Sequence, residues 1–279
     1  MNDSAHATAN PTIAAPGAGS VVAVRNAAAG FDDRPVFEDV SFTVAPTETR
    51  ILLGPAGVGK SVLLKLIIGL LRPLKGSVKL FGEDISHMPE EDLFSLRARA
   101  GMVFQEGALF DSLTVRDNVA YQLIQERAPD EEIDARVHEA LRFVGLEQTF
   151  SLYPASLSGG MKRRVAIARA MIHQPELILY DSPTGGLDPV TSNTIIELIV
   201  KQRDVRATPA LVVTHRLQDA FTICTHRFDS EQERMVPLPE GETNRSTTFL
   251  MLNEGRLIFD GSLRELVHSE DAFVREFLD

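Results

Sequence analysis

The stretch GPAGVGKS, Gly54 to Ser61, sets a lysine and a hydroxyl at the end of a glycine-rich turn. It fits the pattern G-x-x-x-x-G-K-[ST] and lies between the apolar run RILLG and the segment KSVLLKLIIGLL. Strand, loop and helix in that order are the context in which such a loop cradles phosphate. Its glycines let successive backbone N–H groups turn inward, and the helix N-terminus adds partial positive charge. The expected cradle is Gly54, Pro55, Ala56, Gly57, Val58, Gly59, Lys60, Ser61 and Val62. In it Lys60 reaches β- and γ-phosphates and the Ser61 hydroxyl binds Mg²⁺.

A second stretch, LILYDSPTGGLDP from Leu177 to Pro189, ends an apolar run in one carboxylate, Asp181, with Ser182 beside it. A buried strand that ends this way presents its last polar residue to a ligand. Here one acid and one hydroxyl stand where metal-assisted chemistry often uses two acids. His215 closes another apolar run, ALVVTH. A polar residue ending a parallel strand faces the crevice where such sheets bind ligands.

These groups need a scaffold, and the chain is large enough to supply one. It has 279 residues, 44% hydrophobic, a formal net charge of −11 and one cysteine, Cys224. That size buries at least one substantial core. The acidic balance argues against nucleic acid as a partner, and a lone cysteine excludes an internal disulfide and fits a reducing compartment. The N-terminus lacks a basic and then apolar leader pattern. Its longest apolar run, VLLKLIIGLL, carries Lys65 and falls short of the roughly 20 residues that cross a bilayer. The chain therefore reads as cytoplasmic, and any membrane role comes through a partner.

Residues 1–20 read as a disordered Ala/Thr/Pro/Gly/Ser-rich tail, and 21–272 as a single domain. The runs VVAVRN, FEDVSFTV and RILLG read as strands, and GSVKLFGEDI as a hairpin. Helical signals fill about 111–160, where Ile133, Val137, Ala140, Leu141 and Val144 share one face. Strand and helix then alternate through MKRRVAIARAMI, ELILY, TSNTIIELIVKQ and PALVVTH, which predicts a largely parallel sheet. The polar segment 228–247 reads as a disordered loop insertion and 273–279 as a C-terminal tail.

LSGGM, Leu157 to Met161, precedes KRRVAIARAM; with the loop at Gly54 and LILYDSPTGGLDP, it resembles the ATP-binding-cassette (ABC) ATPases in order and spacing across roughly 21–265. The resemblance implies a P-loop NTPase core of α/β class, mainly parallel sheet with helices, an N-terminal antiparallel β subdomain and an inserted α-helical subdomain. It implies ATP and Mg²⁺ as ligands. Gln105, in MVFQEGALF, would approach Mg²⁺ and the attacking water. Asp181 would organise Mg²⁺ through its water shell. His215 would touch the γ-phosphate, and Phe31 would stack on adenine where the family more often has Tyr. Ser158, Gly159 and Gly160 would cap the γ-phosphate held by another subunit, with Asp188 at the interface between the two. Phe31 as plain core, Gln105 as an exposed loop amide and His215 as a core histidine are the structural alternatives.

Met161 in place of the usual signature glutamine, the run FQEGALFDSLTV and the C-terminal GSLRELVHSEDAFVREFLD are similar to the ATPase subunits of Mla/Mce-type lipid transporters. That similarity implies a homodimer or paired ATPase subunit, an integral-membrane permease, an Mce-type lipid-binding component and a place on the cytoplasmic face of the inner membrane. Another small-molecule transporter, or a nucleotide-gated scaffold with little turnover, is the alternative.

One departure is sharp. The family places Glu, the general base or water-positioning group, where this chain has Ser182, while the flanking Pro183 and Gly-Gly-Leu-Asp keep the register. A serine hydroxyl takes no proton near neutral pH as a carboxylate does. Binding is expected to survive and hydrolysis to be slow, unless Gln105 and His215 position the water or a Glu-bearing partner supplies the competent site.

Overall fold

In the computed structural model, residues 19–32 and 34–279 are described; the tail expected at 1–20 lies outside them except for its last two residues. The strands are β1 (Val22–Phe31), β2 (Arg34–Val44), β3 (Thr49–Leu53), β4 (Lys75–Leu80), β5 (Glu83–Asp84), β6 (Ala100–Val103), β7 (Leu177–Asp181), β8 (Ala210–Val213), β9 (His226–Asp229), β10 (Arg234–Pro237), β11 (Thr247–Asn253) and β12 (Arg256–Gly261). The helices are α1 (Lys60–Ile67), α2 (Glu90–Ala98), α3 (Val115–Gln125), α4 (Asp130–Phe143), α5 (Gly159–Met171), α6 (Pro189–Lys201), α7 (Leu217–Thr225), α8 (Leu263–Val267) and α9 (Ala272–Leu278).

Six strands form the central sheet in the order β12-β11-β3-β8-β7-β6, parallel throughout except for β12. The inner residues 51–53, 177–180 and 210–213 are apolar on both faces because both faces are covered. Period-two geometry then sorts each strand between two cores. Ile51, Leu53, Ile178, Tyr180 and Val212 face the core built with α3 to α6, and Leu52, Leu177, Leu179, Leu211 and Val213 face α1 and a second sheet. That second sheet, order β2-β1-β4-β5, is antiparallel. The expected architecture of parallel core, antiparallel N-terminal sheet and inserted helices is the one the chain builds.

Side-chain caps fix where the working loops end. Thr114, Ser158 and Asp188 accept from the backbone N–H of Asp117, Met161 and Thr191, starting α3, α5 and α6. Fully buried Asn118 of α3 bonds the N–H and C=O of Phe110 and the carbonyls of Leu113 and Thr114. It thereby anchors the chain that leaves the loop after β6.

Two expectations are corrected. The segment 228–247 is not a disordered insertion: its first part pairs as the β9–β10 hairpin. Anchors from afar hold it. Glu197 of α6 accepts from Met235 N at 2.9 Å, Asp204 accepts from Phe228 N at 2.8 Å, and Asn244 N donates to Cys224 O at 2.8 Å. Those acceptors lie far off in sequence, so the segment's own polarity concealed them. The tail expected at 273–279 is instead α9, capped by Asp271, with Val274 buried and Phe273, Phe277 and Leu278 packed on the helical-side core. Its apolar residues recur at helical spacing, and the capping aspartate precedes them.

Tyr180 is fully buried, and its hydroxyl has no hydrogen-bond partner among the described residues. Burial pushes its pKa well up. An orphaned buried hydroxyl costs about 1–3 kcal/mol. Tyr180→Phe is therefore expected to match or exceed the parent in denaturant unfolding, and a clear loss of stability would refute this account.

Candidate active site

Parallel strands bring their polar ends to one edge of the central sheet. Gly54 follows β3 with φ 144°, and a Cβ there would stand 2.2 Å from Leu252 O. Only glycine fits so close to β11. Gly59, at φ 107°, receives Leu63 N and opens α1. Between them Pro55 and Val58 are half-buried and Ala56 and Gly57 exposed; Val58 and Val62 pack against the antiparallel-sheet core. The buried Lys60 ammonium donates to Gly54 O at 2.8 Å and Pro55 O at 2.6 Å. Burial lowers its pKa, and the charge of Asp181 works against that.

Ser61 Oγ donates to Asp181 Oδ1 at 2.9 Å, across 120 residues of sequence. The loop after β3 and the end of β7 thus meet as a lysine, a hydroxyl and a carboxylate. Hydroxyl and carboxylate oxygens are hard donors that suit Mg²⁺, which takes one or two carboxylates beside substrate phosphates. Among the described residues no cluster of three or more His, Cys, Asp or Glu could hold a metal.

Ser182 is buried and held at φ 46°, a left-handed backbone that L-residues rarely adopt. Its N–H donates to Val213 O at 3.0 Å, and its carbonyl accepts from Gly185 N at 2.9 Å and Arg163 Nη1 at 3.3 Å. Gln105 follows β6 on an exposed loop, with Nε2 3.5 Å and Cγ 3.6 Å from where a Gly185 Cβ would sit. Its side chain therefore lies over the turn that carries Ser182. His215 is exposed just past β8, which removes the core-histidine alternative. Phe31, 52% exposed at the end of β1, is not plain core either.

The remaining predicted residues form a separate cluster. Ser158 caps α5, exposed Gly159 lies near Leu187, and Gly160 packs so tightly that a Cβ would stand 2.2 Å from Thr191 Cγ2. Thr191 in turn donates from N and Oγ1 to Asp188. These bonds hold the Asp188 carboxyl below its usual pKa, the side chain of Thr191 first among them. Ser158 to Gly160 and Asp188 thus make one surface. No hydrogen bond among the described residues ties that surface to the Gly54–Ser61 loop.

Sequence reasoning passed over four side chains that build this region. Thr184 and Asp219, both buried, share a hydrogen bond. Arg216, next to His215, donates to Ser192 Oγ at 2.7 Å and lies 3.6 Å from Asp219 Oδ2. Arg163 bridges three backbone carbonyls. Arg216 and Arg163 sit within or beside quoted motifs, but only the fold shows what they touch.

Comparison with known proteins agrees with this geometry. The family description "ABC transporter" matches residues 37–185. The chain is 35% identical over 262 residues to the probable ribonucleotide transport ATP-binding protein mkl of Mycobacterium leprae, covering 94% of this chain and 69% of that one. It is 34% identical over 248 residues to the intermembrane phospholipid transport system ATP-binding protein MlaF of Escherichia coli K12, covering 88% and 84%. Among solved structures, the dimeric post-hydrolysis ATP-binding cassette MJ0796 bound to ADP and Pi superposes with TM-score 0.72 at 27% identity, covering 87% of this chain and 99% of that one. A phosphate-loop cradle facing a serine-marked carboxylate, a separate Ser-Gly-Gly surface and these likenesses converge: the chain belongs to the ABC transporter family, as an ATP-binding subunit of the ABC ATPases.

Proposed function

We propose that this chain binds Mg-ATP in the Gly54–Ser61 cradle, closes as a head-to-tail pair and energises a membrane permease that moves phospholipid or another lipid, turning over slowly. The Ser61–Asp181 contact at 2.9 Å carries the reading, because it joins the hydroxyl and carboxylate that Mg²⁺ requires at the mouth of the lysine loop.

In this reading Lys60 exchanges its two loop carbonyls for β- and γ-phosphate oxygens. Mg²⁺ supplies neutralisation of phosphate charge, and Ser61 and Asp181 hold it with Gln105 near by. Phe31 offers its exposed ring to adenine. Ser158, Gly159 and Gly160 of a second subunit cap the γ-phosphate, with Asp188 beside them at the interface. That arrangement explains why the two clusters lie apart within one chain. Phosphoryl transfer asks mainly for positioning and charge neutralisation, which this set provides. What it lacks is a carboxylate at 182 to take the proton of the attacking water. Gln105 and His215 orient that water but do not match a base of carboxylate strength.

Lipid as cargo is supported by the Escherichia coli relative, named for phospholipid transport, and by Met161 with the FQEGALFDSLTV run. The mycobacterial relative's name, which speaks of ribonucleotides, favours a different small molecule. No helix among the described residues is long and apolar enough to cross a membrane. In this reading the permease and an Mce-type lipid-binding component are separate partners. The site of action in this reading is the cytoplasmic face of the inner membrane. Isolation of the complex from detergent-solubilised membranes, with mass spectrometry of its proteins and lipids, separates the two cargoes.

Two variants test the site itself. Ser182→Glu should raise the single-turnover hydrolysis rate by about 10²- to 10⁴-fold with ATP affinity unchanged; near-equal rates would remove the idea of slow turnover. Gly160→Val pushes a side chain into Thr191, and should leave nucleotide binding intact while abolishing the ATP-dependent dimer seen by light scattering. A dimer that persists would count against the shared site.

A further inference from the structure

The helix α5 that begins at Ser158 carries two arginines that reach the loop holding Gln105. Arg169 donates from Nη1 to Ala108 O and from Nη2 to Gly107 O, each at 2.7 Å. Arg163 donates from Nη1 to Phe104 O at 3.4 Å and Ser182 O at 3.3 Å, and from Nη2 to Gly185 O at 3.3 Å. The loop is therefore gripped on either side of Gln105 and Glu106. Arg163 alone also reaches the turn of Ser182 and Gly185, on which the Gln105 side chain rests.

Arg163 is 5% exposed. Burial lowers its pKa, while Glu106 and Asp181 oppose that through charge. A buried guanidinium that donates to three carbonyls of two different loops does more than fill space, because desolvating a cation is unfavourable unless its donors are used. A planar fork that reaches both loops at once is something a lysine ammonium lacks.

We propose that Arg163 is a positioning residue for hydrolysis, fixing Gln105 and Ser182 relative to the helix whose first turn, Ser158 to Gly160, faces the other subunit's nucleotide. The inference rests on the shared-site reading above. It adds a specific rigid link: the element that caps one nucleotide sets the water-orienting residues of the chain's own site. The nucleotide-holding groups, Lys60 and Ser61, make no hydrogen bond to Arg163. Loss of the fork should therefore touch rate and spare affinity.

The test uses the full chain, with Mg-ATP affinity, single-turnover hydrolysis and thermal melting measured for Arg163→Gln, Arg163→Lys and the control Arg164→Gln. Among the described residues Arg164 bonds the Val144 and Gly145 carbonyls and no others. All are made with Ser182 and again with Ser182→Glu, so that the rate is readable. Small misplacements at a reacting centre cost on the order of 10²-fold, so Arg163→Gln should lose about that much rate with affinity held, Arg163→Lys should recover part of it, and Arg164→Gln should match the parent. An unchanged rate for Arg163→Gln overturns the proposal. So does a parallel fall of rate, affinity and melting temperature in both Arg163 variants, or failure of both to fold, since each assigns the residue to the core. Absence of Mg-ATP binding by the parent chain would instead defeat the underlying function.

Discussion

Everything at this site depends on one hydrogen bond, from Ser61 Oγ to Asp181 Oδ1. Asp181 ends β7, while Ser61 lies in the first turn of α1 and is carried there by the loop that follows β3; β3 and β7 are separated in the sheet by β8. For the bond to form, three parallel strands must end in register, which the pairings Leu52 to Val213 and Asp181 to Val213 provide. Parallel strands are joined only by crossovers, so their polar ends share an edge while the chain between them is spent on helices. The continuous apolar faces of Ile51, Leu53, Ile178 and Val212 on one side, and Leu52, Leu179 and Val213 on the other, hold that register. A slip of one residue would exchange side chains between the two cores and move Asp181 to the opposite face.

Much of this was legible beforehand, for reasons that differ by element. The strands β3, β7 and β8 are short apolar runs closed by a motif residue, and the loop at Gly54 has a pattern bound to its strand and helix context. Local chemistry decides such features, so local sequence reveals them. Ser158 and Asp188 were read for an interface role, and the fold adds that both are helix caps. The β9–β10 hairpin was not legible, because what orders it lies elsewhere: buried Arg203 donates to Ile223 O and His226 O, and Asp204 and Glu197 take the hairpin's N–H groups. Tertiary partners override a polar composition there. The same holds for Arg163: nothing in KRR distinguishes the arginine that the fold buries.

Ser182 shows how chemistry and backbone separate at one position. Its left-handed conformation costs of order 1–3 kcal/mol for a residue other than glycine. The Val213, Gly185 and Arg163 bonds over-determine it. Because the main chain holds the turn, the side chain at 182 changes without disturbing Asp181 before it or Thr184 and Gly185 after it. That is why the surrounding motif keeps its register while the carboxylate is gone. Binding groups and the proton acceptor are thus independent features of the fold.

The same separation bears on how the two clusters communicate. Thr184, one turn past Ser182, is tied to Asp219, and Asp219 lies beside Arg216, which in turn holds Ser192 of α6. His215 therefore precedes an arginine that joins the Thr184–Asp219 pair to the helix that Asp188 caps. Arg163 makes the corresponding link from α5 to Phe104, which precedes Gln105, and to the carbonyls of Ser182 and Gly185. In the proposed reading, the water-orienting residues are thereby tied to helices whose N-termini belong to the interface, whereas Lys60 bonds the loop after β3 and Ser61 the end of β7. A second subunit pressing on the first turns of α5 and α6 would, in that reading, act on Gln105, Ser182 and His215 ahead of the groups proposed to hold the phosphates. That division would let nucleotide affinity stay fixed while the commitment to hydrolysis varies with the partner.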